Sequence, residues 1–183
     1  MSHPPETHSR MSSTRSMRPY VVQPGGGLAA PLGTLATVHK ISSTVTTGQL
    51  AVVEHELAPR HLGAPMHRHW REDELSIVTA GTLGALLDEQ EVRAGAGSYL
   101  WKPRGQWHTF WNAGDTDLTF IELLIPGGLE GYFRALSRAL SRLPTGAGAP
   151  EPFAVDALAA EYGLEFDFLQ TARICDRFGL TLR

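Results

Sequence analysis

Between Thr34 and Ile125 the chain is a succession of short β-prone runs, each closed by a turn. The runs cover residues 34–40, 49–57, 73–79, 82–88, 98–103, 108–111 and 117–125. The turns between them carry Thr47-Gly48, Ala80-Gly81, Ala96-Gly97 and Ala113-Gly114-Asp115. Short runs at this spacing, without helices between them, argue against βαβ units and predict an all-β sandwich or barrel. The 19 glycines in 183 residues exceed the average share of roughly 7% and suit a chain with many tight turns.

The pattern changes after Pro126-Gly127-Gly128. Residues 129–142 place Leu129, Phe133, Leu136 and Leu140 at helical spacing. A Pro/Gly/Ala linker from Pro144 to Pro152 leads to a second short helix over residues 153–162, stopped at Gly163. The last twenty residues fit helix, strand or tail equally. The expected organisation is therefore a disordered tail over residues 1–19 and a barrel with its following helix over 20–143. A linker and C-terminal helical extension over 144–183 packs on that barrel.

Charge excludes more than it suggests. Sixteen basic residues against 19 acidic leave a net −3, so no overall basic surface invites nucleic acid or an anionic membrane. The apolar runs are far too short for a transmembrane helix. No apolar stretch follows the first 18 residues, so no secretory leader is expected and a cytoplasmic location is. Cys175 is the single cysteine, which excludes an intrachain disulfide framework and a cysteine-rich zinc site.

Two segments carry the chemistry. The first, GAPMHRHWREDELSIVTAG, holds His67, His69, Glu74 and Gly81. Side chains alternate along a strand, so His67 and His69 share a face and can share one metal ion. Glu74 follows after enough chain to turn and present a carboxylate from a neighbouring strand. The second segment, GSYLWKPRGQWHTFWN, holds Gly97, Pro103, Gly105, His108 and Asn112. His108 supplies a third imidazole, with Phe110 and Asn112 on its face. Gly81, Gly97, Pro103, Gly105 and Asn112 read as turn and bend devices. His39, His55 and His61 have no partners at ligand spacing and read as surface or core histidines.

The spacings are H-x-H-x(4)-E-x(6)-G and G-x(5)-P-x-G-x(2)-H-x(3)-N, and both resemble the paired motifs of the cupins. The likeness covers residues 34–125 closely, and PGGLEGYF opening a C-terminal helix resembles the small bacterial quercetin dioxygenase-like members. It implies a double-stranded β-helix, or jelly-roll, barrel followed by one or two C-terminal helices. It also implies that His67, His69, Glu74 and His108 bind one divalent metal ion. The first motif departs at its leading glycine, where His61 stands. Three neutral imidazoles and a carboxylate suit Fe, Mn, Ni, Co, Cu or Zn and leave coordination positions open, as catalytic sites do.

The resemblance implies a metal-dependent dioxygenase acting on an enolisable aromatic or flavonol-like small molecule, with Glu74 as ligand and catalytic base. An oxygen-independent isomerase, cyclase or lyase of a dicarbonyl or polyketide-like metabolite is the alternative, and a non-catalytic binding module the third. A homodimer is the expected assembly. All four tryptophans, Trp70, Trp101, Trp107 and Trp111, lie beside the motifs. Trp111 points opposite to His108. Tyr99 and Trp101 share one face of their strand, Leu100 and Lys102 the other, and either face could meet the metal. An aromatic wall for a planar substrate competes here with plain core packing. Arg68, Arg71 and Arg104 could attract an anion to the mouth.

Overall fold

The computed structural model describes residues 19–142 and 152–182. All but the last residue of the expected N-terminal tail, and most of the expected linker, lie outside the described residues. A six-stranded antiparallel sheet is ordered β1 (Leu28–Ala29), β2 (Leu35–Ile41), β3 (Ala51–Leu57), β10 (Leu118–Ile125), β5 (Asp73–Ala80) and β8 (Tyr99–Lys102). Facing it is a five-stranded sheet ordered β11 (Leu164–Asp167), β4 (Met66–His69), β9 (His108–Asn112), β6 (Thr82–Leu87) and β7 (Gln90–Gly95). Three helices follow the main strands: α1 (Glu130–Leu140), α2 (Pro152–Glu161) and α3 (Phe168–Phe178). The two sheets form the expected jelly-roll barrel. None of the described helices is long and apolar enough to cross a membrane.

Alternation along each strand decides what faces the interior. In β10 the buried residues are Leu118, Phe120, Glu122 and Leu124, and in β5 they include Glu74, Ser76 and Val78. Leu35, Leu57, Val78 and Phe120 of the larger sheet meet Leu83, Ala85 and Phe110 of the smaller one in a core between the layers. A second apolar cluster, with Ala51, Val53 and Leu124, lies further along β3 and β10, so the inward polar residues His55 and Glu122 fall between two apolar layers. At the turn between β5 and β6, Gly81 has φ +75°, and a Cβ there would collide with the Asp117 carbonyl.

The C-terminal segment, ambiguous in the sequence, resolves into β11 and α3. Asp167 caps α3 by accepting from the Gln170 amide at 2.8 Å, and Gly179 ends it with φ +62°. Along α3, Ile174 packs into a second core with Leu62, Met66, Leu86 and Trp111. Trp111 stacks on Phe178 with centroids 4.6 Å apart. Gly84 leaves the space for that indole, since a Cβ would overlap it. Helix α3 therefore covers the outer face of the smaller sheet, and every residue of β9 is buried.

The outer face of the larger sheet carries an apolar row in register. Leu75 lies opposite Trp101 and Ile77 opposite Tyr99, while Leu123 lies opposite Leu75 and Ile121 opposite Ile77. Tyr99 is 70% exposed and Trp101 49%.

Glu130 anchors α1 to the barrel. Its Oε1 accepts from the Ser43 amide at 2.9 Å and the Ser43 hydroxyl at 2.5 Å, and its Oε2 from the Gly128 amide at 2.9 Å. Burial opposes its ionisation, but the hydrogen bonds from Ser43 and Gly128 outweigh this and hold the carboxyl below its ordinary range. A depressed folded-state pKa contributes stability above the unfolded value and loses it as pH falls through the folded one. Glu130→Gln should therefore cost about 1–3 kcal/mol at neutral pH. In urea denaturation, its difference from wild type should shrink as pH drops below about 4.

Candidate metal centre

The four side chains at the motif positions come from both sheets. His67 and His69 point inward from β4, and His108 faces them from β9, paired in register with His67. Glu74 reaches across from β5 in the other sheet. One potential ligand atom from each lies within 4.8 Å of the others, and all four residues are buried. His69 Nε2 and His108 Nε2 each stand 3.3 Å from a Glu74 carboxylate oxygen.

The imidazoles are oriented from behind. His67 Nδ1 lies 2.7 Å from the Pro65 carbonyl and His108 Nδ1 3.0 Å from the Gln106 carbonyl. Each carbonyl fixes the tautomer with its proton on Nδ1, leaving the Nε2 lone pair for an ion. His69 Nε2 and His108 Nε2 have no hydrogen-bond partner although buried. Orphaned buried nitrogens are costly, and an ion between them removes the cost.

Electrostatics hold the protonation states that ligation needs. Burial, reinforced by its histidine neighbours, pushes His67 well below the usual imidazole range. Burial also lowers His69, to about 4. Glu74 is opposed by burial, yet His69, Lys102 and His108 together hold its carboxyl well below the ordinary range. Neutral imidazoles and an ionised carboxylate form a donor set that fits one divalent transition ion.

Behind Glu74 lies a group that the motif spacing did not reveal. Lys102 Nζ sits 2.6 Å from Glu74 Oε2 and 2.5 Å from Glu122 Oε1. It is 2% exposed. Burial disfavours its charge, but Glu122 and Glu74 more than compensate and raise its pKa. Glu122 also accepts from the Ser76 hydroxyl at 2.7 Å. Burial and the Glu74 charge push Glu122 up, but Lys102 and His55 pull it below its ordinary range. The period-two pattern marks Glu122 as inward-facing, because it alternates with Phe120 and Leu124, but does not say which residue it meets. Lys102 shares its face with Leu100.

A cavity of about 290 Å³ opens onto His67, His69 and Glu74. Tyr132, Phe133, Leu136 and Leu140 of α1 and Val155 of α2 line it. Leu164 and Phe166 of β11 and Phe168 of α3 extend the wall. His67 and Phe166 have ring centroids 5.9 Å apart.

The structure decides several points on which the sequence allows alternatives. None of the four tryptophans lines the cavity, because Tyr99 and Trp101 face outward and Trp111 packs under α3. The aromatic wall is built from Phe110, Tyr132, Phe133, Phe166 and Phe168 instead. Arg68, Arg71 and Arg104 do not line the cavity. They pair with Glu165, the Glu161 carbonyl and Asp73 respectively. His55 is more than a core histidine, since it borders the cavity beside Glu122. His39 is buried and His61 half-buried, and neither joins the cluster. Asn112 holds the turn that follows β9, donating to the Leu57 and Thr116 carbonyls and accepting from the Gly114 amide.

A cupin-domain family profile matches residues 53–125, which span the whole ligand cluster. Residues 53–125 therefore carry a cupin domain. Among solved structures this chain resembles the polyketide cyclase RemF from Streptomyces resistomycificus, at 19% identity and a TM-score of 0.51 over 59% of this chain and 80% of that one. KdgF from Halomonas sp. is 21% identical, with a TM-score of 0.48 over 54% of this chain and 84% of that one. A predicted oxalate decarboxylase from Thermotoga maritima is 22% identical, with a TM-score of 0.48 over 50% and 80%. At 19% identity the likeness to RemF is one of fold. No curated protein sequence matches.

His67→Ala and His108→Ala should each leave the circular dichroism spectrum of the barrel intact, because the apolar layers do not depend on these rings. Each should lose bound metal, falling from near one equivalent to under about a tenth by elemental analysis. Full retention in either variant would remove that residue from the ligand set.

Proposed function

We propose that this cupin is a metal-dependent dioxygenase of the quercetinase type, acting on a planar, enolisable aromatic molecule such as a flavonol. The observation that carries the reading is the chemistry of the cavity wall. Among the described residues no Lys or Arg lines it, and apart from Tyr132 the polar side chains on it are His67, His69, Glu74, His55 and Glu122. Apart from the ion itself, a sugar phosphate or a small dicarboxylate would find no cationic partner among the described residues of the lining. An aromatic body with its oxygens at one end fits both the apolar wall and the polar floor. The volume, near the lower end for ligand pockets, suits a molecule of two or three rings.

His67, His69, Glu74 and His108 would hold the ion. When bound, it would polarise the substrate hydroxyl and lower its pKa. Glu74, ionised and facing the cavity, is placed to accept the hydroxyl proton. Lys102 hydrogen-bonds the same carboxylate and keeps it oriented. Phe133, Leu136 and Phe166 shield the reacting end from water.

The oxygen-independent reading, an isomerase, cyclase or lyase, is supported by the presence of His55 and Glu122 on the same wall as additional proton-handling groups. Oxygen uptake separates the two. Metal-loaded protein with a flavonol panel should consume oxygen as substrate disappears, and His67→Ala should lose at least about 100-fold of that rate. Turnover without oxygen consumption would sink the dioxygenase reading in favour of the second. Metal retention without any turnover would leave a binding protein.

The apolar outer face of the larger sheet supports a homodimer. An exposed apolar patch continuous across several strands marks an interaction surface. A second copy, turned about a two-fold axis, brings the same row against itself. Sedimentation should give twice the chain mass, and Trp101→Lys should shift the protein to monomer at micromolar concentration. A monomeric wild type would reject this assembly.

A further inference from the structure

The cavity holds a polar pair that the candidate ligands do not use. His55 of β3 and Glu122 of β10 border it side by side, both 2% exposed. His55 Nδ1 is engaged, 2.9 Å from Thr37 Oγ1. Its Nε2 has no hydrogen-bond partner, and the Glu122 Oε2 beside it stands 3.5 Å away. Glu122 Oε1 is already taken by Lys102 and Ser76. The Thr37 hydroxyl has two acceptors in reach, His55 Nδ1 at 2.9 Å and the Leu35 carbonyl at 3.5 Å. The shorter contact, together with the Glu122 carboxylate facing Nε2, assigns the hydroxyl proton to Nδ1 and the ring proton to Nε2. One donor and one acceptor thus stand buried, close together and incompletely satisfied on the wall of a ligand-sized cavity. Such groups are costly unless something completes them. A hydroxyl does so in one step, accepting from Nε2–H and donating to Oε2.

We propose that His55 and Glu122 form a hydroxyl-reading subsite that selects substrates carrying a second hydroxyl near the one facing Glu74. This rests on the aromatic-substrate reading above. The position of the subsite constrains the molecule. Lys102 Nζ touches both carboxylates, at 2.6 and 2.5 Å, so Glu74 and Glu122 stand one ammonium apart. Both substrate oxygens therefore lie at the same end, with the rest of the molecule among Phe133, Leu136 and Leu140. A ligand with a single hydroxyl at this end would leave the His55 and Glu122 groups unanswered. Rejection of an analogue that lacks a hydrogen-bonding group is how a buried polar site discriminates most sharply.

The test is a binding titration of the metal-loaded full chain without oxygen. The probes are 3-hydroxyflavone and a set of analogues, each with one added hydroxyl. Wild type should prefer at least one added hydroxyl by about tenfold or more over the parent. His55→Phe keeps an aromatic ring against Phe120 and Phe133, whose centroids lie 4.9 and 6.0 Å from that of His55. It should retain its metal and bring the preference close to onefold. Thr37→Val, a change outside the cavity lining, frees the His55 tautomer and should reduce the preference in part. Equal binding of all probes by wild type would overturn the subsite alone, as would a preference that survives in both variants. Failure of wild type to bind any probe would overturn the aromatic-substrate reading, and the subsite with it.

Discussion

A single ammonium buried between two carboxylates organises the interior of this barrel. Lys102 closes β8, Glu74 is the second residue of β5 and Glu122 lies in the middle of β10, so the three charges tie three neighbouring strands of the larger sheet. Isolated, any of them would be expensive in this interior, and removing one partner from such a group commonly costs about 3–5 kcal/mol. Together they let a carboxylate stay ionised at the bottom of an apolar cavity. The arrangement also divides labour within one sheet. Glu74 faces the imidazoles, while Glu122 balances Lys102 and presents its second oxygen towards His55.

The opposite sheet solves a different problem. Three imidazoles must converge with free Nε2 atoms, and the smaller sheet achieves this through register and carbonyl contacts. His67 and His108 meet as a cross-strand pair, and the Pro65 and Gln106 carbonyls turn their rings. Because the groups rest on strands of two facing layers, the site depends on the spacing between sheets that Phe110, Phe120 and Leu83 maintain.

Much of this was legible in the chain because its signals are local. Period-two alternation put His67 and His69 on one face, and short runs closed by glycine turns announced the barrel. Gly81, Gly97 and Gly105 all take positive φ, as turn residues of this kind do. What stayed hidden depends on long-range pairing. Nothing near Lys102 says that it will meet Glu122, twenty residues on, inside the barrel. The role of the tryptophans stayed open because proximity in sequence to a ligand strand says little about which side of it a ring will occupy. The cavity wall drew on Phe166 and Phe168, in a segment whose short length and mixed pattern suited helix and strand equally.

The pairing of β11 with β4 has a temporal side. Strand β4 shares only the His67–His108 pairing with β9, whereas β11 runs along its whole length, from Leu164 opposite His69 to Asp167 opposite Met66. The strand that carries two of the imidazoles is thus held mainly by residues made long after it. A chain emerging from the ribosome would have both facing sheets nearly complete while β4 still lacked its outer neighbour. Assembly of the metal-ready pocket would then be among the last events of folding, and ion capture would report on a finished molecule rather than guide its formation.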